Sequence, residues 1–382
     1  MGLEQYLAII AEEVGISRDE LQDDTEFADL GLDRVLAQAI TDRFAEELSQ
    51  RMQVSVFETY PDVRSFTRHI DKTLGESKAT EKGTVNVSIT ENKKKNVGRT
   101  PPLVLPLQGN PATAKKTVFL LPDGSGSGLA YARIPHLGPD ICLCGVNSPF
   151  LGAGSFSTTI EEMSAIFAAA IREVQPHGPY NLGGWSAGGY FATEVARTLL
   201  RAGEAVQRII LIDSPCRVEY EAMPVEVVRF LAPRNLMGNW GGKKAGTPQW
   251  LVDHFERTLT AVGEYAPKPL AIERHMPSVF VIEAAEGVFG TQAELADSGL
   301  DMGVKLTRDL LGPRARQFDP HGWDTLYPGS LLRWARTSGS HFTLVHPPHS
   351  NTLGTLLRGA LADEDEIRNS GKWSQWSFKN HP

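Results

Sequence analysis

The feature that most constrains the fold of this chain is the hexapeptide Gly184-Trp-Ser-Ala-Gly-Gly189, which brackets Ser186 with glycines. A short apolar stretch, Tyr180-Asn-Leu182, precedes it, and a helix-like run from Tyr190 to Leu200 follows it. A Gly-x-Ser-x-Gly turn between a strand and a helix is so tight that larger flanking side chains would clash, which leaves the serine hydroxyl exposed. Chance supplies roughly 0.2 copies of this pattern in a chain with 36 glycines. An ordinary glycine-rich turn therefore remains an alternative interpretation of this pattern, and the surrounding sequence has to distinguish the two.

The context is an alternation of strand-like and helix-like segments from Thr117 onward. The apolar or β-branched runs cover residues 118–121, 141–146, 182–183, 208–212 and 278–283, with helical patterns at 160–174 and 190–202 among them. Continuous apolar strands separated by helices predict an α/β fold with a mostly parallel sheet covered on both faces. Ligands bind at the carboxyl ends of such strands, which is where the serine turn falls.

A serine nucleophile needs a base and an acid that orients the base. In α/β-hydrolases the chain order is serine, acid, histidine. Asp213 follows the run Arg208-Ile-Ile-Leu-Ile212, 27 residues after Ser186, and is the predicted acid. Two alternatives stay open: Asp213 as a turn cap at the strand end, and Asp324 in His321-Gly-Trp-Asp324 as the acid.

The base is expected on a loop after the last strand. His341 follows a short Ser-Gly-Ser loop and is the predicted base. His346 and His349 flank two prolines in the same region and are interpreted as surface or helix-start residues.

An oxyanion hole needs two backbone N–H groups, one from the residue after the nucleophile and one from an early loop. Ala187 supplies the first, and Ser125 of Leu121-Pro-Asp-Gly-Ser-Gly-Ser-Gly128 is predicted to supply the second. The same glycines could suggest a phosphate-binding loop. Their spacing is not G-x-G-x-x-G, and no ribose-binding acid follows the next strand, so that interpretation is disfavoured.

Residues 216–270 interrupt the strand and helix alternation. They hold amphipathic pieces at 225–231 and 250–265, joined by the loose Gly238-Asn-Trp-Gly-Gly242. We expect a mobile lid that shapes an acyl pocket, with a static helical decoration as the alternative.

The first 115 residues have a different character. Residues 1–75 show apolar side chains at helical spacing and read as a small helical bundle, and residues 76–115 are rich in Pro, Ser, Thr and Asn, as in a flexible linker. Residues 1–75 carry sixteen Asp or Glu and seven Lys or Arg, a balance of −9 in a chain of net charge −8. This charge fits a module that docks on basic partner surfaces, or simply a soluble acidic bundle.

Several motifs in a fixed order resemble the C-terminal thioesterase domain of fungal non-reducing polyketide synthases. They are Leu121-Pro-Asp-Gly-Ser-Gly-Ser, Gly184-Trp-Ser-Ala-Gly-Gly, Leu211-Ile-Asp-Ser-Pro, Gly322-Trp-Asp and Ser340-His-Phe-Thr, within about Thr117 to Asp363. The first 75 residues resemble the acyl carrier protein that precedes this thioesterase. The resemblance implies an α/β-hydrolase domain at 116–382 that takes a polyketide from a phosphopantetheine thiol onto Ser186. Family members release the chain by hydrolysis, by lactone or ester formation, or by Claisen-type carbon–carbon closure.

One residue departs from the carrier pattern. A working carrier has Asp-Ser-Leu at a helix start, where the serine bears phosphopantetheine, whereas this chain has Asp33-Arg34-Val35. Arg34 offers no hydroxyl, so we expect either a degenerate carrier or an introduced substitution. Acyl groups then arrive from another, loaded carrier among upstream synthase domains, and the start at Met1-Gly2 fits a fragment of a longer polypeptide. The thioesterase itself needs no bound cofactor.

Composition limits the classes of binding partner and the cellular compartment that are expected for this chain. The sequence has no apolar run of roughly 18 residues and no signal peptide, so no membrane partner is expected. Without a basic stripe, nucleic acid is not expected either. Three cysteines form neither a disulfide framework nor a metal-ligand set, which favours the cytoplasm. A non-catalytic docking scaffold remains an alternative function, although the complete serine, acid and histidine set argues against it.

Overall fold

The computed structural model describes residues 3–14, 18, 21–27, 32, 34–79, 103–151, 156–234, 236–237, 249–270, 276–315 and 317–375. The chain forms two compact units, with the main boundary between Pro102 and Leu103. Most of the expected linker, residues 80–102, and the loop expected at 238–242 lie outside the described residues. Within the described ranges, every helix is too short or too polar to cross a membrane.

The first unit is helical, as its apolar periodicity predicts. Its helices are α1 (Leu3–Val14), α2 (Arg34–Leu48), α3 (Val56–Thr59) and α4 (Val63–Ala79). Four phenylalanine rings from separate segments meet in its core: Phe27, Phe44, Phe57 and Phe66. Beside this core, the Arg43 guanidinium pairs with three carboxylates from α1 and α2. The unit therefore has an apolar centre of its own.

The second unit is built on one eight-stranded sheet. The strands are β1 (Val104–Gln108), β2 (Lys116–Leu121), β3 (Ile141–Val146), β4 (Tyr180–Trp185), β5 (Val206–Ile212), β6 (Ser278–Ala284), β7 (Leu332–Thr337) and β8 (Ser374–Gln375). Their order is β1-β3-β2-β4-β5-β6-β7-β8, with β2 to β7 mutually parallel and the two edge strands antiparallel to their neighbours. A mostly parallel sheet is the predicted architecture.

Helices cover both faces of this sheet. They are α5 (Ile160–Val174), α6 (Gly188–Arg201), α7 (Val225–Leu231), α8 (Gln249–Glu264), α9 (Gln292–Asp297), α10 (Lys305–Leu311), α11 (Trp323–Leu326), α12 (Ser350–Ala360) and α13 (Glu364–Asn369). Successive β5 side chains point to opposite faces: Ile209 and Leu211 join the cluster of α5 and α6, while Ile210 and Ile212 join that of α12. Burial on both faces explains why the central strands read as continuous apolar runs.

Two segments differ from the sequence expectation. Strand β1 lies inside the 76–115 stretch that was assigned to a linker, where Val104 pairs with Val146 of β3. The strand contains Pro106, which an edge strand tolerates because its outer side needs no ladder hydrogen bond. The second segment is a helical insertion, α9 to α11, which separates β6 from β7. The amphipathic pieces predicted at 225–231 and 250–265, within the expected lid at 216–270, instead form α7 and α8 as expected.

Candidate active site

Ser186 stands in a sharp turn between β4 and α6. Its backbone adopts φ 55°, a strained conformation for a residue with a side chain. The flanking glycines leave no space: a Cβ on Gly184 would lie 2.4 Å from the carbonyl carbon of Gly188. A Cβ on Gly188 would lie 2.5 Å from the Leu121 carbonyl oxygen. The glycines that the motif requires are thus explained by direct backbone contact.

Three side chains from separate strand ends meet at this turn. His341 Nε2 lies 3.1 Å from Ser186 Oγ, and His341 Nδ1 lies 2.8 Å from Asp213 Oδ2. Asp213 directly follows β5, and His341 follows β7. A carboxylate only accepts hydrogen bonds, so the Asp213 contact places the imidazole proton on Nδ1 and leaves Nε2 free to accept from the Ser186 hydroxyl. The structure therefore brings together the three residues that the sequence predicts.

Asp213 is buried, but its negative charge is stabilised by neighbouring groups. Burial alone would raise its pKa, yet the Arg314 guanidinium at 2.7 Å, the His341 ring and the backbone N–H of Ala284 hold the pKa of Asp213 well below its ordinary value. The pKa of His341 is also lowered, chiefly by burial and secondarily by the positive charge of Arg314. At neutral pH the site thus holds an ionised acid beside a neutral imidazole.

The loop after β2, residues 121–128, is called the glycine loop below. Ser125 is fully buried, and its hydroxyl donates to Asp123 Oδ1 at 2.5 Å. Burial raises the pKa of Asp123 to about 7. Ala187 directly precedes α6, where backbone N–H groups lack intrahelical acceptors. The assignment of the Ser125 and Ala187 N–H groups to an oxyanion hole stays a prediction.

The alternative acid and bases have other partners. Asp324 lies in the first turn of α11 and accepts from the backbone N–H of Thr325 at 3.0 Å. His349 Nδ1 lies 3.1 Å from Ser338 Oγ, and burial lowers the pKa of His346 to about 4. Arg34 opens helix α2, but its side chain lies outside the described residues.

Sequence reasoning missed two groups that support the sharp turn at Ser186 between β4 and α6, which is called the elbow below. The Tyr131 hydroxyl donates to the Leu121 carbonyl at 2.6 Å and accepts from the Trp185 N–H at 2.9 Å, which ties β2 to β4 beside the serine. The Ser214 hydroxyl donates to the Ser186 carbonyl at 2.6 Å. Ser214 could have been identified from the sequence, since it directly follows the predicted acid. Tyr131 could not, because it lies in a turn without a motif.

Comparison with known proteins places this site in a family. The thioesterase domain family matches residues 116–352, and the chain belongs to it. The phosphopantetheine attachment site family matches residues 5–70. The predicted α/β-hydrolase fold is confirmed, and the second unit is a thioesterase of the serine-hydrolase type.

Curated relatives identify the region more closely. The chain is 32% identical over 377 residues to the non-reducing polyketide synthase terA of Aspergillus terreus, covering 93% of this chain and 18% of that protein. It is 34% identical over 370 residues to the norsolorinic acid synthase stcA of Emericella nidulans, covering 92% of this chain and 16% of that protein. The chain therefore corresponds to the carrier and thioesterase region of fungal non-reducing polyketide synthases, and spans less than a fifth of their length.

A solved structure supports the fold across both units. A four-domain nonribosomal peptide synthetase, in its holo form with AMP and glycine, aligns with 94% of this chain and 25% of that chain. Its TM-score is 0.53 and its sequence identity 19%.

Proposed function

We propose that this chain releases a polyketide from a carrier phosphopantetheine thioester, through an acyl group on Ser186, to an oxygen nucleophile. The proposal is supported by two consecutive hydrogen bonds. Ser186 Oγ lies 3.1 Å from His341 Nε2, and His341 Nδ1 lies 2.8 Å from Asp213 Oδ2. Both distances are within reach for proton transfer along a hydrogen bond.

Two half-reactions follow from this geometry. Ser186 Oγ attacks the thioester carbonyl and gives its proton to His341 Nε2, while Asp213 stabilises the resulting imidazolium. The C–S bond then breaks, and the leaving thiolate takes that proton. In the second half, a water or substrate hydroxyl gives its proton to His341 and attacks the ester, and Ser186 leaves with the proton. The Ala187 and Ser125 N–H groups are the proposed donors to the oxyanion in both halves.

The acyl group has to come from a carrier other than the attached one. Helix α2 begins at Arg34, the position where the carrier pattern has its serine. A guanidinium cannot accept the phosphopantetheine ester, so we propose that a loaded carrier among upstream synthase domains delivers the chain. For the compartment we propose the cytoplasm, because Cys142, Cys144 and Cys216 are all free thiols.

We also propose that residues 216–270 form a lid over the acyl site. Helix α8 supports this, because its Phe255 ring would lie 2.3 Å from a Cβ on Gly124 of the glycine loop. A helix packed this closely over the loop excludes water from that side. An oxygen nucleophile is favoured because the serine, histidine and aspartate set needs nothing further to activate a hydroxyl.

The test uses the full chain and a small thioester of a defined polyketide. We expect Ser186→Ala to reduce release by about 10⁴-fold or more. It should also abolish covalent labelling by a fluorophosphonate. Retained release in the variant would refute the serine mechanism, and inactivity of the unsubstituted protein toward all acyl thioesters would favour a docking scaffold.

The products separate the modes of release. A free acid identifies water as the nucleophile by mass. A lactone and a Claisen-closed ring have equal mass, but only the lactone opens in mild alkali. A cyclised product, of the mass shared by the lactone and the Claisen-closed ring, that resists alkali would contradict the oxygen nucleophile and support carbon–carbon closure on the same acyl serine.

A further inference from the structure

Helix α8 is hydrogen-bonded to the glycine loop through a buried histidine. His254 Nδ1 lies 2.9 Å from the Gly124 carbonyl oxygen, and its Nε2 lies 2.9 Å from Ser148 Oγ. A carbonyl only accepts, so Nδ1 carries the proton, and Nε2 accepts from the Ser148 hydroxyl. Ser148 Oγ in turn accepts from the Phe150 N–H at 3.1 Å. Burial lowers the pKa of His254 to about 4, so this neutral form persists at physiological pH.

These hydrogen bonds join three separate parts of the fold. Gly124 belongs to the loop after β2, Ser148 to the loop after β3, and His254 to α8. The two loops are also linked directly, since the Ser148 N–H donates to the Gly126 carbonyl at 2.7 Å. The His254 side chain is 4% exposed, so both hydrogen bonds are shielded from water. An imidazole in this position bridges α8 to both loops at once.

Packing reinforces the bridge. A Cβ on Gly126 would lie 2.3 Å from Cε1 of the His254 ring, in the same way that Phe255 closes the space over Gly124. The glycine loop has little conformational preference of its own, because Gly124, Gly126 and Gly128 can each adopt many backbone angles. An oxyanion donor is effective only when it is held in place before the charge develops.

We propose that His254 is a positioning residue that holds the Gly124–Ser125 segment of the glycine loop in the geometry needed to stabilise the oxyanion. The proposal rests on the proposed function, which assigns the Ser125 N–H to that role. Among the described residues, the hydrogen bonds of His254 go to Gly124, Ser148 and Thr258 and not to Ser186. Helix α8 holds the glycine loop in place through His254. Without this side chain, the loop loses the hydrogen bond at the Gly124 carbonyl and the imidazole ring that packs against Gly126. Formation of the acyl enzyme therefore depends on this one side chain of α8.

The experiment compares three variants of the full chain with an N-acetylcysteamine thioester. His254→Ala removes both hydrogen bonds, His254→Asn keeps a donor near the Nδ1 position, and His254→Gln keeps an acceptor near the Nε2 position. We expect His254→Ala to lower kcat roughly 10- to 100-fold, a part of the effect of losing one oxyanion donor, with KM changed less than about threefold. Fluorophosphonate labelling of Ser186 should slow in parallel. His254→Asn should retain more activity than His254→Gln, because the Gly124 contact positions the loop.

A matched control lies on the same helix. The Thr260 side chain is exposed, and among the described residues its hydroxyl donates to the Glu256 carbonyl of α8 alone, at 3.0 Å. Thr260→Ala should leave kcat and KM unchanged. A folded His254→Ala protein with the original kcat would overturn the proposal. If His254→Ala does not fold, equal activity of the Asn and Gln variants would overturn it. If Ser186→Ala still releases product, the proposed function fails, whereas loss of release in Ser186→Ala with an unchanged His254→Ala refutes only the role of His254.

Discussion

At the scale of single residues, Asp213 has a charged partner in addition to His341. Arg314 lies in the loop after α10 and donates to the same oxygen, Oδ2, that contacts the His341 ring. Its positive charge favours the ionised aspartate and disfavours the imidazolium form of His341. Because the base must be neutral to accept the serine proton, Arg314 extends activity toward lower pH.

Arg314→Gln is therefore expected to shift the acid limb of the kcat/KM profile to higher pH. Removal of the guanidinium raises the pKa of His341, so the imidazole protonates sooner as the pH falls. We therefore expect the acid limb to move upward, toward the pH at which an imidazole without this cationic neighbour protonates. The measurement is kcat/KM for a small thioester across the acidic range, since this profile reports groups of the free enzyme.

Arg229→Gln is the matched control. Arg229 pairs with Glu256 on the surface, and its removal should leave the limb in place. An unmoved limb in Arg314→Gln would contradict the role of Arg314.

Sequence reasoning reached some residues of the site and not others. Ser186, Asp213 and His341 each stand at a strand end in a known chain order, so a pattern could select them. Arg314 is 101 residues from Asp213, and His254 is 130 residues from Gly124. Neither stands in a motif, and their contacts exist only after the chain has folded. Their positions could not be predicted from local spacing.

At the scale of elements, helix α6 and strand β2 depend on a close approach of their backbones. A Cβ on Gly188 would lie 2.5 Å from the Leu121 carbonyl oxygen, a rigid backbone atom. We expect Gly188→Ala to lower the free energy of unfolding by about 1 to 3 kcal/mol, because the helix or the strand must shift. The displaced elbow should also reduce fluorophosphonate labelling of Ser186.

Denaturant unfolding followed by tryptophan fluorescence measures this effect in the second unit alone, since all seven tryptophans lie beyond residue 102. Gly263→Ala adds the same methyl group to α8, where the nearest atom is 3.9 Å away. It should be neutral or stabilise by up to about 1 kcal/mol, because alanine favours a helix. Equal stability of the two variants would show that the elbow accommodates a Cβ.

The central elements were predictable and the peripheral ones less so. Strands buried on both faces are continuous apolar runs, and the parallel sheet followed from them. Strand β1 was assigned to a linker because Pro106 and its neighbours match loop composition, while its pairing with β3 is a tertiary contact. Helices α9 to α11 lie in a segment whose short apolar patterns did not distinguish a helix from a loop.

At the scale of the whole molecule, the chain joins a thioesterase to a carrier unit with Arg34 at the position where the carrier pattern has its serine. The carrier unit nevertheless keeps its own packed core, in which Phe44 and Phe66 stack with centroids 6.1 Å apart. A packed core among the described residues indicates a folded unit, so we expect Arg34 to affect loading rather than folding. We therefore expect the carrier unit to be folded but unmodified, as the proposed delivery of the acyl group by another carrier requires.

Arg34→Ser should restore loading, because it returns a hydroxyl to the residue that opens α2. The variant and the unsubstituted chain would each be incubated with coenzyme A and a promiscuous phosphopantetheinyl transferase. We expect the intact mass of Arg34→Ser to rise by one phosphopantetheine group, while the unsubstituted chain and Arg34→Ala stay unmodified. Modification of the unsubstituted chain would place an attachment site at another residue and contradict the assignment of Arg34. An unmodified but folded Arg34→Ser variant would mean that the carrier surface has diverged beyond this one position.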